Sequence, residues 1–204
     1  MTLIILVRHG QSQTNVQGIL SDSYERYPLS ENGVIQAQTV AKELAQKLKV
    51  SKLYSSPVFR ARQTADIIGK AVGKEVILDS RLKERGWGLM EGKSAMLGAW
   101  RFNMSKAEAE TVETWDSIKR RVNEFADDAA KDGGVVVGVS HVDTIAALAV
   151  RGFGIKDGEL SIYALVSPFA AISVFGFDGD FKVIATGLPI IPDSVLEMAK
   201  PYMD

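Results

Sequence analysis

The 204-residue chain has no cysteine, which excludes disulfides and thiolate chemistry. A zinc site would have to be built from two histidines and carboxylates alone. Charge of either sign is nearly balanced: 24 Lys and Arg against 25 Asp and Glu leave a formal net charge of −1. A phosphate backbone is normally met by a clustered basic excess, so nucleic acid is not expected as a partner, and an anionic ligand would have to be met locally. No stretch approaches the roughly 18 to 20 apolar residues of a membrane span, and the N-terminal apolar run lacks a basic leader and is broken by Arg8. The expectation is a cytoplasmic chain without membrane contact. No proline occurs between residues 58 and 167, and no linker, repeat or low-complexity tract divides the sequence. Residues 1–204 therefore read as one domain, with enough apolar content for a substantial core.

What is present alternates between two patterns. The runs "LIILV" and "VVVGV" are continuous and β-branched, as in strands buried on both faces of a parallel sheet, and "KLYSS" and "EVILD" are shorter candidates. After Ser30, a plausible N-cap, Val34, Ile35, Ala37, Ala41, Leu44, Ala45 and Leu48 recur at helical spacing. In "SSPVFRARQTADIIGKAVG" the spacing predicts a helix capped by Ser56, with Pro57 in its first position and Gly73 closing it. Residues 106–131 read as one further helix and "DTIAALAVRGF" as another, while "AAISVFGF" and "FKVIATG" flank a turn at Asp178–Asp180. The class is α/β with a mostly parallel sheet and an antiparallel edge.

Both histidines, His9 and His141, stand where an apolar strand ends. In open α/β sheets ligands bind at the carboxyl ends of the strands. Beside His9 lie the cation Arg8, then Gly10, which would let backbone approach a ligand closely, and then Gln11, Ser12, Thr14 and Asn15, whose donors suit an oxyanion. The apolar N-terminal strand is thus expected to deliver an imidazole and a guanidinium into a polar crevice.

These residues resemble a known signature. "RHG" with Ser12 and Asn15 is similar to the motif of the histidine phosphatase superfamily, its phosphoglycerate-mutase-like branch. "PLSENGVIQA" (28–37), "SSPVFRARQTA" (55–65), "LKERGWGLMEG" (82–92) and "VVVGVSH" (135–141) resemble its further segments in the same order. The resemblance implies a phosphoglycerate-mutase-like, three-layer sandwich: a mostly parallel central sheet flanked by helices. It implies phosphoryl transfer through a phosphohistidine on His9. Arg8, Arg60 and His141 would hold the phosphoryl oxygens, His141 in its protonated form, and Glu84 would serve as general acid and then as base. The substrate-binding set would be Gly10, Gln11, Ser12, Asn15 and Val142. The implied ligand is a small phosphorylated metabolite, with neither metal nor cofactor required.

Chemistry explains the choice of residue types. Phosphoryl transfer is largely positioning plus stabilisation of charge on the non-bridging oxygens, and arginine's planar fork meets them bidentately. A nucleophilic histidine must present a neutral ring nitrogen while its other nitrogen is oriented, for which the Gly10 carbonyl is at hand. One departure stands out: many members of the family have glycine after the second histidine, where this chain has Val142 and then Asp143. Asp143 is a secondary candidate for orienting a charged group. The short, proline-free connection from Glu84 to His141 favours hydrolysis of a phosphomonoester, with a 2,3-bisphosphoglycerate-dependent phosphoglycerate mutase as the alternative. Residues 93–105 would form a cap that selects the substrate. A non-catalytic phosphate-binding module is a third reading, against which the combined presence of nucleophile and acid speaks; a zinc hydrolase lacks the usual ligand spacing.

Overall fold

Every side chain of Leu3–Val7 in β1 (Thr2–Arg8) is buried, because successive residues point to opposite faces of the sheet and both faces are covered. Leu3, Ile5 and Val7 enter one core and Ile4 and Leu6 the other. The computed structural model describes residues 1–95, 104–155 and 168–203, and its six strands form one sheet in the order β3-β2-β4-β1-β5-β6. β2 (Val50–Ser55), β3 (Val76–Leu78) and β4 (Gly134–Ser140) join β1 in parallel; β5 (Ile172–Phe177) and β6 (Phe181–Leu188) add an antiparallel edge.

Helices α2 (Glu31–Lys47), α3 (Phe59–Val72) and α7 (Asp193–Ala199) cover one face. The other is covered by α5 (Trp115–Ala129) and α6 (Val142–Gly152), whose Val122, Phe125 and Leu148 pack on Ile4 and Leu6. The short helices α1 (Gln13–Gln17) and α4 (Lys106–Ala109) lie in connections. The result is an α/β fold with a mostly parallel central sheet between helical layers. Among the described residues, no helix is long and apolar enough to cross a membrane.

Three local expectations are corrected. Ser30 caps α2, accepting the Gly33 N–H at 3.1 Å, but Ile35 and Ala45 face solvent and Val40 takes the buried place on the stripe. Helix α3 starts at Phe59 rather than at Pro57, because the Val58 backbone stays extended (φ −63°, ψ 133°), while the Ser56 hydroxyl accepts the Val58 N–H and meets the His141 ring. The stretch 106–131 is two helices: Thr114 caps α5 by accepting the Ser117 N–H, while the Glu113 carboxylate is drawn to Arg121 and to the Gly86 N–H. Of the cap at 93–105, Ser94 bridges to Ile19 and Ala95 donates its N–H to the Gly18 carbonyl at 2.7 Å, whereas 96–103, including Trp100, lie outside the described residues.

Candidate active site

Arg8 pairs with Ser140 in the β1–β4 register, so the next residue on each strand, His9 and His141, leaves the sheet at the same level. The His9 N–H donates to the Ser140 carbonyl at 3.0 Å, and the two ring centroids stand 5.0 Å apart. β2 extends alongside β4 to Ser56, whose N–H donates to the Val139 carbonyl at 2.9 Å, and the first turn of α3 then presents Arg60. Glu84 arrives from the connection after β3, between the single turns Ser80–Leu82 and Gly88–Met90. Arg121 fixes that connection by donating to the carbonyls of Arg81 (2.7 Å) and Lys83 (2.9 Å). His9, Arg60, Glu84 and His141 are all buried. In the charged run Lys83-Glu84-Arg85 only Glu84 turns fully inward.

The hydrogen bonds fix the tautomer of the His9 imidazole. A carbonyl only accepts, so His9 Nδ1–H donates to the Gly10 carbonyl at 2.7 Å and the lone pair lies on Nε2. Arg60 Nε–H donates to that lone pair at 3.0 Å. The two hydrogens of Arg60 Nη2 are shared among the Ser21 carbonyl (3.0 Å), Glu84 Oε2 (3.3 Å) and His141 Nδ1 (3.3 Å). Nε2 of His141 faces the Ser56 hydroxyl at 2.8 Å. Arg60 Nη1 is buried without an acceptor among the described residues, a donor suited to an arriving oxyanion.

Burial and the adjoining arginines push both histidines well below the ordinary imidazole value. His141 is thus neutral in the ligand-free pocket, whereas the protonated form is expected of it with a phosphoryl group bound. Burial, and after it the charge of Asp143, pushes Glu84 above the usual carboxylate range, against the pull of Arg60 and Arg8. Burial also lowers Arg8 to about 10, and its guanidinium sits 4.3 Å from the Phe169 ring centroid.

A cavity of about 170 Å³ opens here, lined by Arg8, His9, Arg60 and Glu84 together with Thr14, Asn15, Ile19, Leu20, Ser21, Trp87, Ala95, Val142 and Asp143. His141 stands behind this lining, in contact with Arg60. Asn15 Oδ1 accepts the backbone N–H and the hydroxyl of Ser12, which leaves its amide nitrogen to donate. Val142 is the first residue of α6, where backbone N–H groups have no partner within the helix.

Gly10, Gln11 and Ser12 are not among the lining residues. Gly10 makes its close approach to Gly33, since a Cβ there would meet the Gly33 carbonyl oxygen at 2.4 Å. The Gln11 side chain accepts from the Ser30 hydroxyl at 2.8 Å, and Ser12 caps α1. Conversely, sequence reasoning missed Ser21, which offers only its carbonyl, Ser56 as partner of His141, and Phe169 against Arg8. A carbonyl leaves no residue-type signal, and Phe169 lies far from the other site residues in sequence.

His9, Glu84 and His141 bring ligand atoms within 4.8 Å of one another. They do not fit a cation, because Arg60 donates into all three and Arg8 adds a second positive charge; the field of the site selects an anion.

Residues 4–186 match the model of the histidine phosphatase superfamily (branch 1). The chain is 36% identical over 200 residues, 96% of each protein, to a 2,3-bisphosphoglycerate-dependent phosphoglycerate mutase of Thermoplasma acidophilum. Its fold is that of a mycobacterial glucosyl-3-phosphoglycerate phosphatase solved with VO3 (TM-score 0.78, 22% identity, 92% of this chain and 100% of that one). It is also that of a phosphoglycerate mutase from Bacillus anthracis (TM-score 0.74, 20% identity, 98% and 96%). The paired strand-end histidines, the arginine between them and the match over nearly the whole chain lead to one conclusion: this protein belongs to the histidine phosphatase superfamily, branch 1, whose members are phosphoryl-transfer enzymes.

Proposed function

We propose that the protein hydrolyses a small phosphomonoester through a phosphohistidine on His9. The observation that carries this reading is the His9 ring itself, oriented by the Gly10 carbonyl with its Nε2 lone pair towards the buried Arg60. A phosphoryl group entering the cavity would take over the donors of Arg60 and Arg8 and uncover that lone pair. Nε2 then bonds to phosphorus as the ester P–O bond breaks, and the leaving oxygen takes the proton of Glu84. Water attacks the phosphohistidine next, gives its proton back to Glu84, and the P–N bond returns its electron pair to Nε2. The buried, raised Glu84 suits a donor that must hold its proton until the bond breaks. The neutral His141, aligned by Ser56 and Arg60, would gain a proton only when a dianion arrives to favour the charge. Asn15 and the Val142 N–H supply further donors at the cavity wall.

Hydrolysis is favoured by the remainder of that wall. Ile19, Leu20, Trp87 and Val142 are apolar, Asp143 is an anion, and the cations among the lining residues are the two given to the phosphoryl group. Transfer back to a bound phosphoglycerate is the second reading, favoured by the mutase from Thermoplasma acidophilum that matches along 96% of the chain. The deciding experiment is a panel of phosphomonoesters and both phosphoglycerates, assayed with and without 2,3-bisphosphoglycerate, with His9→Ala as the blank. Release of inorganic phosphate independent of the bisphosphate is expected. Interconversion of the phosphoglycerates that requires it would establish the mutase. Phosphate that is acid-labile and survives an alkaline quench should label the native chain and not the His9→Ala variant; equal labelling of both would remove His9 as nucleophile.

A further inference from the structure

The site contains an electrostatic conflict. Arg8 and Arg60 would serve the phosphoryl group, but both also act on Glu84, and each cation favours the ionised carboxylate over the acid. Arg60 Nη2 is 3.3 Å from Glu84 Oε2. A general acid in that setting would be stripped of its proton before the leaving oxygen needs it. His9 and His141, the other titratable groups facing Glu84, are neutral in this pocket, and His141 Nδ1 lies 3.5 Å from Oε2. Arg121, reaching in from α5, donates to the main-chain carbonyl of Glu84 at 3.4 Å. Burial aside, the negative group acting on Glu84 is Asp143, from the first turn of α6.

Asp143 is held in place by the residue next to Glu84. Arg85 Nε–H donates to Asp143 Oδ2 at 2.7 Å, and the Arg85 backbone N–H donates to Glu84 Oε1 at 2.9 Å. One residue thus clasps both carboxyl groups, the first through its main chain and the second through its side chain. The pair is sheltered, with side-chain exposures of 12% for Arg85 and 10% for Asp143. The N-terminus of α6 further favours an anion at Asp143. Resting on the reading of Glu84 as proton donor, we propose that Asp143, clamped by Arg85, is a positioning residue that offsets the two phosphoryl-binding arginines and keeps the proton on Glu84 until the leaving oxygen takes it. This assigns a purpose to the carboxylate two residues beyond the second histidine.

The test follows the alkaline limb of kcat against pH for an alkyl phosphate, together with the 13C shift of the Glu84 carboxyl in the ligand-free protein. Asp143→Asn should move both midpoints to lower pH by about one unit, the size expected for removing one nearby like charge, and Asp143→Glu should restore them. Arg85→Gln keeps the backbone donor to Glu84 but leaves the charge of Asp143 uncompensated, so it should move both midpoints to higher pH. The two ends of the pair pull in opposite directions, and either folded variant suffices if the other does not fold. Unmoved midpoints, or displacement in the same direction from both ends, would overturn the proposal. Glu84→Gln separates the underlying reading: if it leaves alkyl phosphate turnover intact, Glu84 is not the donor, whatever Asp143 does to its titration.

Discussion

Arg60 Nε–H donates to Nε2 of His9 across 3.0 Å, while the Gly10 carbonyl takes the proton of Nδ1. A protonated Nε2 could not accept that bond, so the arrangement requires a neutral imidazole. 15N spectra of the ligand-free protein should therefore find His9 in the Nδ1–H tautomer, without titration between pH 8 and pH 6. With both histidines depressed in the folded state, the unfolded chain binds more protons once the pH falls below the ordinary value of about 6.5. Their contribution to stability is present above that value and is lost progressively below it. A proton on His9 Nε2 at pH 7 would contradict the scheme.

Arg60 and Glu84 touch each other, yet they should fail differently when replaced. Glu84→Gln keeps shape and removes the proton, so esters with poor alkoxide leaving groups should slow by about 10²- to 10⁴-fold, the usual range for general acid catalysis, and an activated aryl phosphate far less. Arg60→Lys supplies a cation without the fork that reaches His9, Ser21 and Glu84 together. Both classes of ester should then slow alike, by about 10²- to 10³-fold as for the loss of one preorganised oxyanion donor. The measurement is kcat/KM for one alkyl and one aryl phosphate in each variant. Equal losses for the two esters in Glu84→Gln would move the acid role elsewhere.

Much of this site was legible in the sequence, and the exceptions have physical reasons. Strand-end placement brought His9 and His141 to the same edge of the sheet because both continuous apolar runs read as buried strands; that the two strands are neighbours, in a register that aligns the next residues, is seen only in the fold. Gly10 was legible as a close approach but not as to what. Sequence says that a Cβ is missing; only the fold reveals that Gly33 of α2 fills the space. Ser56 read as a helix cap because serine before proline commonly is one, yet its hydroxyl is drawn to His141, from a segment 85 residues away in sequence. The neutral resting form of His141 is not legible for a related reason, since it comes from burial and from arginines that no local pattern places beside it.

The Gly10–Gly33 contact carries its own expectation. A methyl group on Gly10 would meet backbone, which cannot swing aside, so Gly10→Ala must displace either α2 or the loop that orients His9. Overpacking of this kind costs about 1 to 3 kcal/mol, measurable as a lowered urea midpoint. Turnover should fall further than stability accounts for, because the Gly10 carbonyl fixes the nucleophile's tautomer. Native stability together with native kcat would refute the account.

Beside Ser21, which lines the pocket, Asp22 and Glu91 face each other. Glu91 accepts from the Ser21 hydroxyl and from the Asp22 N–H, the latter at 2.9 Å, and so holds the segment whose Ser21 carbonyl receives Arg60. Burial first, and then a hydrogen bond and charge repulsion from Glu91, push Asp22 up to about 6. An acid raised on folding has the opposite linkage to the usual carboxylate. Between about pH 4, where the unfolded side chain ionises, and pH 6, the folded state holds the extra proton. The contribution of Asp22 to stability is therefore fully present below this window and declines as the pH rises through it. Asp22→Asn supplies a permanent neutral donor in place of the protonated acid, so it should raise Tm at pH 7.5 and leave it nearly unchanged at pH 4. Thermal melts of both proteins at the two pH values decide the matter: a gain of equal size at each pH, or none at pH 7.5, would mean that Asp22 and Glu91 do not share a proton in the folded protein.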